Sequence, residues 1–267
     1  ERLASAFPAL HIEGPFISAL DGPRGAHQKA FCRTPAQYPD FIDQLQEESG
    51  NRIGILTLAP ELEGAIPLIE RCAEAGIIVA IGHTAAARNE IDAAVEAGAS
   101  LSTHLGNGSH QMLPRLDNYV QQQLAEDRLR ATFIADGHHI PFGTLKNFLR
   151  AKTLAHSILV TDAISAAGAG SGLYTLGEQT VEVDETLRCQ IPGQPNLAGS
   201  ALTLDRAVIN TARYCGVPFE TAWAMASTQP AALIGLETPE RISVEITGDT
   251  FGATLRLLNT NPPRASS

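Results

Sequence analysis

Five places along the chain put a side chain capable of chemistry at the end of a short apolar run. Glu13 closes His11-Ile12-Glu13-Gly14-Pro15, His83 closes Ala80-Ile81-Gly82-His83-Thr84, and His104 ends Ser102-Thr103-His104. His138 and His139 follow Ala135-Asp136-Gly137, and Asp162 follows Val160-Thr161. One histidine at a strand end is usually a packing or hydrogen-bonding residue. Glu, His, His, His and Asp at successive strand ends are not explained by packing. One carboxylate and two neutral imidazoles make a three-ligand set with an open position, which suits catalytic Zn2+ or a similar divalent ion. Such an ion makes water a nucleophile near neutral pH. An aspartate beside that water can take its proton and pass it to a leaving group. A further histidine can polarise a carbonyl as charge develops on its oxygen. The chemistry described is metal-assisted hydrolysis of an amide or a related bond.

Side chains so distant in sequence meet only if repeated βα units bring them together. Apolar, β-branched runs at 9–17, 53–59, 77–82, 100–104, 131–135 and 157–161 predict strands. Amphipathic stretches at 35–48, 62–75, 86–97, 118–126 and 142–151 predict the helices between them. Ile77-Ile78-Val79-Ala80-Ile81 and Ile158-Leu159-Val160 are apolar on both faces, as strands covered on both sides are. The alternation predicts an α/β fold with a parallel sheet, whose strand ends open on one rim. After the sixth strand, 166–171 is rich in Gly, Ala and Ser and reads as a mobile loop, either a linker or a lid beside Asp162. Residues 174–191 alternate like a hairpin, 202–215 and 219–227 return as helices, and 242–246 and 253–258 read as strands of a small β appendage before a frayed tail at 262–267.

Composition narrows the class. The 267 residues are 44% hydrophobic and carry a net charge of −10, enough apolar content for a real core and an unfavourable balance for a nucleic-acid surface. No run approaches the roughly 18 apolar residues of a membrane span. Four cysteines without a CxxC pair, and no basic-then-apolar leader, point to a reduced, cytoplasmic protein. The chain begins at Glu1 rather than Met, as a trimmed or processed chain would.

The segments His11-Ile12-Glu13-Gly14-Pro15-Phe16-Ile17, Gly82-His83-Thr84, Thr103-His104-Leu105-Gly106-Asn107, Asp136-Gly137-His138-His139, Val160-Thr161-Asp162-Ala163 and Leu197-Ala198-Gly199-Ser200 occur in this order. Together they resemble the N-acetylglucosamine-6-phosphate deacetylases of the amidohydrolase superfamily, metal-dependent TIM-barrel enzymes, from about Leu10 to about Leu236. The resemblance implies that Glu13, His83 and His104 hold the metal, a divalent ion with zinc the first choice, and that Asp162 is the catalytic acid/base. It implies that His139 contacts the substrate and polarises its acetyl carbonyl, with His138 as spacer. Asn107 and Gly108 match a contact pair beyond the second metal histidine, and Ala26 and His27 another after the HxEGP segment. Arg115 matches an arginine that pairs with the sugar phosphate, a task suited to a guanidinium, and Leu197-Ala198-Gly199 matches a loop lining the sugar. The implied reaction is hydrolysis of the acetamide of N-acetylglucosamine 6-phosphate by a homodimer, with no nucleic-acid or membrane partner. Two alternatives stay open: a deacetylase for another N-acetyl amino sugar phosphate, and a non-catalytic barrel that binds sugar phosphate.

Two departures from the family pattern stand out. The family reads THLFNAM after the second metal histidine, and Gly106 here replaces the bulky residue. The expected fold is a (β/α)8 barrel over 1–236 that lacks its first two strands, with 237–267 forming the β appendage; a longer chain or a partner is expected to supply the rest. His11 is expected to be structural, His110 and His156 surface or boundary residues, and Cys72 and Cys215 packing residues.

Overall fold

A computed structural model describes residues 7–177, 179–194, 197–237, 244–247 and 254–257. Six strands, β1 (Leu10–Glu13), β2 (Ile53–Leu58), β3 (Ile78–Ile81), β4 (Ala99–Ser102), β5 (Arg130–Ile134) and β6 (Ser157–Val160), form one sheet in sequence order. Every neighbouring pair is parallel. Helices α1 (Phe41–Glu48), α2 (Ala65–Glu74), α3 (Arg88–Glu96), α4 (Tyr119–Ala125) and α5 (Phe142–Lys152) return the chain between strands. This is a partial TIM-barrel-like α/β fold, with six of the strands that a closed barrel has.

The sheet is apolar on both faces, as its uninterrupted runs predict. Toward the helices, Leu56, Leu58, Val79, Ile81 and Phe133 are fully buried against Ile69, Ile91 and Leu145 in the main core. On the other face, Ala80, Leu101 and Ile158 pack with Ile55, Ile78 and Val160, and Leu233 covers part of them. Burial of each large aliphatic side chain contributes about 1.5–3 kcal/mol, so the strands are held by both faces rather than by their short ladders.

Element boundaries differ from the expected ones where Gly and Pro intervene. The first strand stops at Glu13 rather than Ile17, because Gly14 turns the backbone at φ +76° and Pro15 has no N–H for the ladder. Phe16 still enters the core from the following loop. The stretch expected as one helix from Pro35 splits at Pro39 into a short 3-10 turn (Pro35–Gln37) and α1. Helix α2 begins only after Gly64 (φ +81°), and α3 after Ala87, whose N–H donates to Glu90 Oε2.

Beyond β6 the hairpin is a three-stranded antiparallel ribbon, β7 (Gly172–Leu176), β8 (Gln179–Val183) and β9 (Cys189–Gln190). It has its own small core of Val181, Val183, Cys189, Ala198 and Ala201 around Ala166. Residues 166–169 form hydrogen-bonded turns. Helices α6 (Leu204–Cys215), α7 (Phe219–Ala226) and the unexpected short α8 (Thr228–Leu233) follow. Strands β10 (Val244–Thr247) and β11 (Thr254–Leu257) pair antiparallel, where an appendage was expected. The expected ends of those strands and the tail lie outside the described residues. No described helix is long and apolar enough to cross a membrane.

The ends of α4 and α5 are tied by one buried cation. Lys152 Nζ donates to the carbonyl oxygens of Gln123 (2.7 Å) and Glu126 (2.6 Å), a favourable seat for positive charge at a helix C-terminus. Burial nevertheless pushes its amine down to about 8. Between that value and the ordinary lysine range the native chain has released a proton that the unfolded chain still holds, so stability must rise with pH there. Denaturant titrations at pH 7.5 and 9.5 should show native protein gaining stability relative to Lys152→Met as pH rises. A flat difference would place the amine in ordinary solvent, and a falling one would mean that the native chain holds the proton more tightly than the unfolded chain.

Candidate metal centre and active site

The strand ends that carry the site share an unusual backbone. His83 (φ +51°), His104 (φ +30°) and Asp162 (φ +48°) all stand in the left-handed region, and Glu13 is followed by Gly14 in the same region. Non-glycine residues adopt it at a cost of roughly 1–3 kcal/mol each, which the surrounding fold must supply. The turn ends each ladder at the rim. Threonine hydroxyls take over as partners: His104 N–H donates to Thr132 Oγ1 at 2.6 Å, and His11 Nε2, Thr57 Oγ1 and Thr103 Oγ1 form a chain at 2.7 and 2.6 Å. His11 therefore does the structural work expected of it.

The side chains converge. Glu13 Oε1 lies 2.8 Å from His83 Nε2, Glu13 Oε2 lies 3.4 Å from His104 Nε2, and the two histidine Nε2 atoms are 3.2 Å apart. Ligand atoms of Glu13, His104 and Asp162 fall within 4.8 Å of one another, as do those of Glu13, His27 and His83. His83 Nδ1 sits 2.8 Å from the Pro23 carbonyl, which can only accept, so that nitrogen carries the ring proton and Nε2 presents a lone pair. Two acceptors 2.8 Å apart, Nε2 and the Glu13 oxygen, repel unless a positive centre lies between them. Ligands at about 2.0–2.1 Å in a tetrahedron stand roughly 3.3 Å apart, so the gaps fit a shared cation. His104 is buried with no hydrogen-bond partner at Nδ1, which leaves Nε2 as its polar outlet toward the same point. Burial pushes the Glu13 carboxyl up, but the rings of His104, His27 and His83 outweigh it and hold it well below the usual carboxylate range.

His27 was expected at the substrate and is found beside Glu13, its Nε2 3.1 Å from Oε1 and its ring edge-on to His83 at 4.7 Å. Gly108, expected as a substrate contact, also has a packing reason to be glycine. At φ +53° it faces the His83 ring, and a Cβ there would meet Nδ1 at 2.7 Å.

Next to the cluster lies a cavity of about 830 Å3. Ala26, Asn107, Gly108, His139, Leu197 and Ala198 are in its wall, six of the expected substrate-contact residues. Gly199 follows Ala198 without lining it. A second space of about 210 Å3 on the inner face of the sheet reaches His11, Glu13, His104 and Asp162. Arg115 is in neither wall; it stands exposed between Met112 (89% exposed) and Leu116 (81%), outside this chain's cavity. His110, expected at the surface or a boundary, is half-buried in the cavity wall, its N–H and Nδ1 held by Tyr119 Oη at 2.8 and 3.0 Å.

His139 is seated by Asp136. Nδ1 donates to Asp136 Oδ2 at 2.6 Å, and the backbone N–H groups of His138 and His139 donate to Oδ1 at 2.8 and 2.9 Å. Burial raises the Asp136 carboxyl, but the His139 hydrogen bond and charge prevail and keep it ionised below its ordinary value. For Nε2 to donate to a carbonyl the ring must carry a second proton, and an ionised carboxylate against Nδ1 is the partner such a ring needs.

Two further residues support the site. Glu61, three residues beyond β2, accepts from Thr84 Oγ1 (2.5 Å) and Ala85 N–H (2.7 Å), bracing the loop that carries His83. Its carboxyl is pushed up by burial despite those bonds. Arg24 Nη1 donates to the His27 carbonyl at 2.6 Å, holding that loop over Glu13. Glu61 follows the β2 run just past Ala59-Pro60, the same kind of position as the other strand-end residues.

No protein-family profile matches the chain. Curated relatives do. An N-acetylglucosamine-6-phosphate deacetylase from Bos taurus is 37% identical over 241 residues, covering 85% of this chain and 56% of the relative. The Homo sapiens protein of that name is 39% identical over 240 residues, with the same coverage. The solved N-acetyl-D-glucosamine-6-phosphate deacetylase of Mycobacterium smegmatis, in complex with N-acetyl-D-glucosamine-6-phosphate, superposes with a TM-score of 0.78 at 29% identity, over 88% of this chain and 62% of that one. The chain thus spans a little over half the length of the curated relatives it matches. Likeness along most of its length and a shared fold make this chain similar to the N-acetylglucosamine-6-phosphate deacetylases over a little more than half of their length.

Proposed function

We propose that the chain carries the metal-dependent hydrolysis of the acetamide of N-acetylglucosamine 6-phosphate to glucosamine 6-phosphate and acetate. The observation that carries the reading is the meeting of Glu13, His83, His104 and Asp162 at one rim beside a cavity walled by Asn107, Gly108 and His139. Glu13, His83 and His104 would hold a divalent cation, zinc by the donor set of two imidazoles and a carboxylate; such a cation activates water and polarises a carbonyl. Asp162 accepts the proton of the attacking water and returns it to the departing amine nitrogen. His139 Nε2 donates to the acetyl oxygen as negative charge builds there, while Asp136 holds the ring. Ala26, Leu197, Ala198 and Gly199 shape the sugar site.

The working protein is proposed to be a cytoplasmic homodimer whose barrel is completed to eight strands, with 1–236 as the catalytic unit and 237–267 as part of a β appendage. The four cysteines, all free, suit a reducing compartment. Arg115 reaches the sugar phosphate by movement of its exposed loop or from a second copy, since it lies outside this chain's own cavity. Gly106 is in the cavity wall where the family has a bulky residue, which favours one second reading: another N-acetyl amino sugar phosphate as substrate.

Acetate release measured with N-acetylglucosamine 6-phosphate, its galactosamine epimer and the unphosphorylated sugar tests all of this. The glucosamine phosphate should be turned over fastest. Arg115→Ala should raise KM for it about tenfold or more, the worth of a charge-assisted hydrogen bond, and leave the unphosphorylated sugar nearly unchanged. Equal effects on both would remove Arg115 from the phosphate. Stoichiometric metal with no acetate from any of the three would leave only sugar-phosphate binding.

A further inference from the structure

The ribbon β7–β9 begins ten residues after Asp162, beyond the turns at 164–169, and the chain re-joins the fold at Ser200, where Ile164 N–H donates to the Ser200 carbonyl at 2.9 Å. Between these roots it stands over the cavity, and Gln179, Arg188, Ile191 and Gln194 form part of the wall. Among the described contacts of its far end is one to the barrel. His138 Nε2 lies 2.9 Å from the carbonyl oxygen of Thr186 in the turn between β8 and β9. A carbonyl only accepts, so Nε2 carries the proton and donates.

The turn is built to present that carbonyl. Asp184 Oδ1 accepts from Thr186 N–H (2.7 Å), Thr186 Oγ1 (2.7 Å) and Arg188 N–H (3.0 Å), while Leu187 takes a left-handed backbone at φ +66°. On the barrel side, His138 shares the Asp136 carboxylate with His139 through its backbone N–H. Both ends of the contact are thus fixed before the side-chain bond is made.

We propose that His138 is a positioning residue: its hydrogen bond to the Thr186 carbonyl holds the ribbon as a fitted wall of the substrate cavity. The proposal rests on reading that cavity as the sugar-phosphate site. His138 acts on binding through the ribbon, whereas His139 keeps its own seat on Asp136. Loss of the bond should therefore show in KM far more than in kcat.

Three variants, His138→Ala, His138→Gln and Asp184→Ala, are read by backbone hydrogen exchange of β8 and by acetate-release kinetics. His138→Ala should speed exchange of the β8 amides about tenfold and raise KM about tenfold, with kcat within about threefold of the native value. His138→Gln, whose amide nitrogen stands where Nε2 stood, should restore both. Asp184→Ala loosens the same turn from the ribbon side and should reproduce the His138→Ala exchange pattern, which keeps the test open if His138→Ala folds poorly. Native exchange and KM in His138→Ala, or a folded His138→Gln that fails to recover them, would overturn the proposal. Exchange is read without any turnover, so an inactive native protein would count against the deacetylase reading and leave the latch to be judged on exchange alone.

Discussion

Asp162→Asn should retain metal and sugar binding and lose roughly 10^3-fold in acetate release, within the 10^2 to 10^4 that a positioned proton-transfer group contributes. The substitution is close to isosteric, and asparagine tolerates the left-handed backbone that residue 162 adopts at φ +48°. The strand end should therefore keep its shape and the stability of the protein should hardly move. What disappears is a group that can take a proton from water and give it to nitrogen. Its placement explains why nothing else would substitute: a carboxylate oxygen within 4.8 Å of the Glu13 and His104 ligand atoms reaches the place where water must be activated. The neighbouring imidazoles are committed, His83 to Pro23 and the metal cluster, His139 to Asp136. Acetate release with metal content measured on the same sample decides it. Near-native turnover, or loss of turnover explained by loss of metal, would remove Asp162 from the acid/base role.

Much of this arrangement is legible in the sequence because two periodicities coincide. Runs such as Ile78–Ile81 are short and apolar on both faces, as central strands are. The Glu, His or Asp that follows several of these runs is conspicuous because the polar residues within the strands are mostly small hydroxyls such as Thr57, Ser102, Thr132 and Ser157. The six strands, the helices between them and the meeting of Glu13, His83, His104 and Asp162 follow from that pattern. What the pattern leaves out is set by contacts without a local signature. The two-residue strand Cys189–Gln190 is too short to alternate, and it exists because β8 offers it an edge. His27 joins Glu13 only because Arg24 fastens the loop between them. His110, a boundary residue as one of its expected placements had it, is held in the cavity wall by the Tyr119 hydroxyl, nine positions away in a helix. Arg115 shows the opposite limit: its spacing from His104 matches a phosphate-binding arginine, and spacing alone says nothing of which cavity it faces.

The metal cluster gives the second large effect, and Glu13→Gln is the variant that isolates it. In the native chain the His83 lone pair faces a carboxylate oxygen at 2.8 Å, a contact that only a cation or a proton makes favourable. A glutamine amide changes the sign of that contact, because its N–H can donate to the same lone pair and satisfy the cluster with no metal present. The variant should thus fold without a cation and bind one roughly 10^3-fold more weakly, so that metal at 100 times the native Kd leaves it largely empty. For the native protein, metal at 100 times its Kd adds about 2.7 kcal/mol, which for a chain of this size is a melting shift of roughly 5–10 °C. A chelator should remove that shift from the native protein and leave Glu13→Gln where it was. Elemental analysis should find near-stoichiometric metal in the first and little in the second. Equal metal content in the two would remove Glu13 from the ligands of the cation, whereas a native protein without metal and indifferent to the chelator would mean that Glu13 and His83 are joined by a proton alone, and the hydrolytic reading would lose its cation.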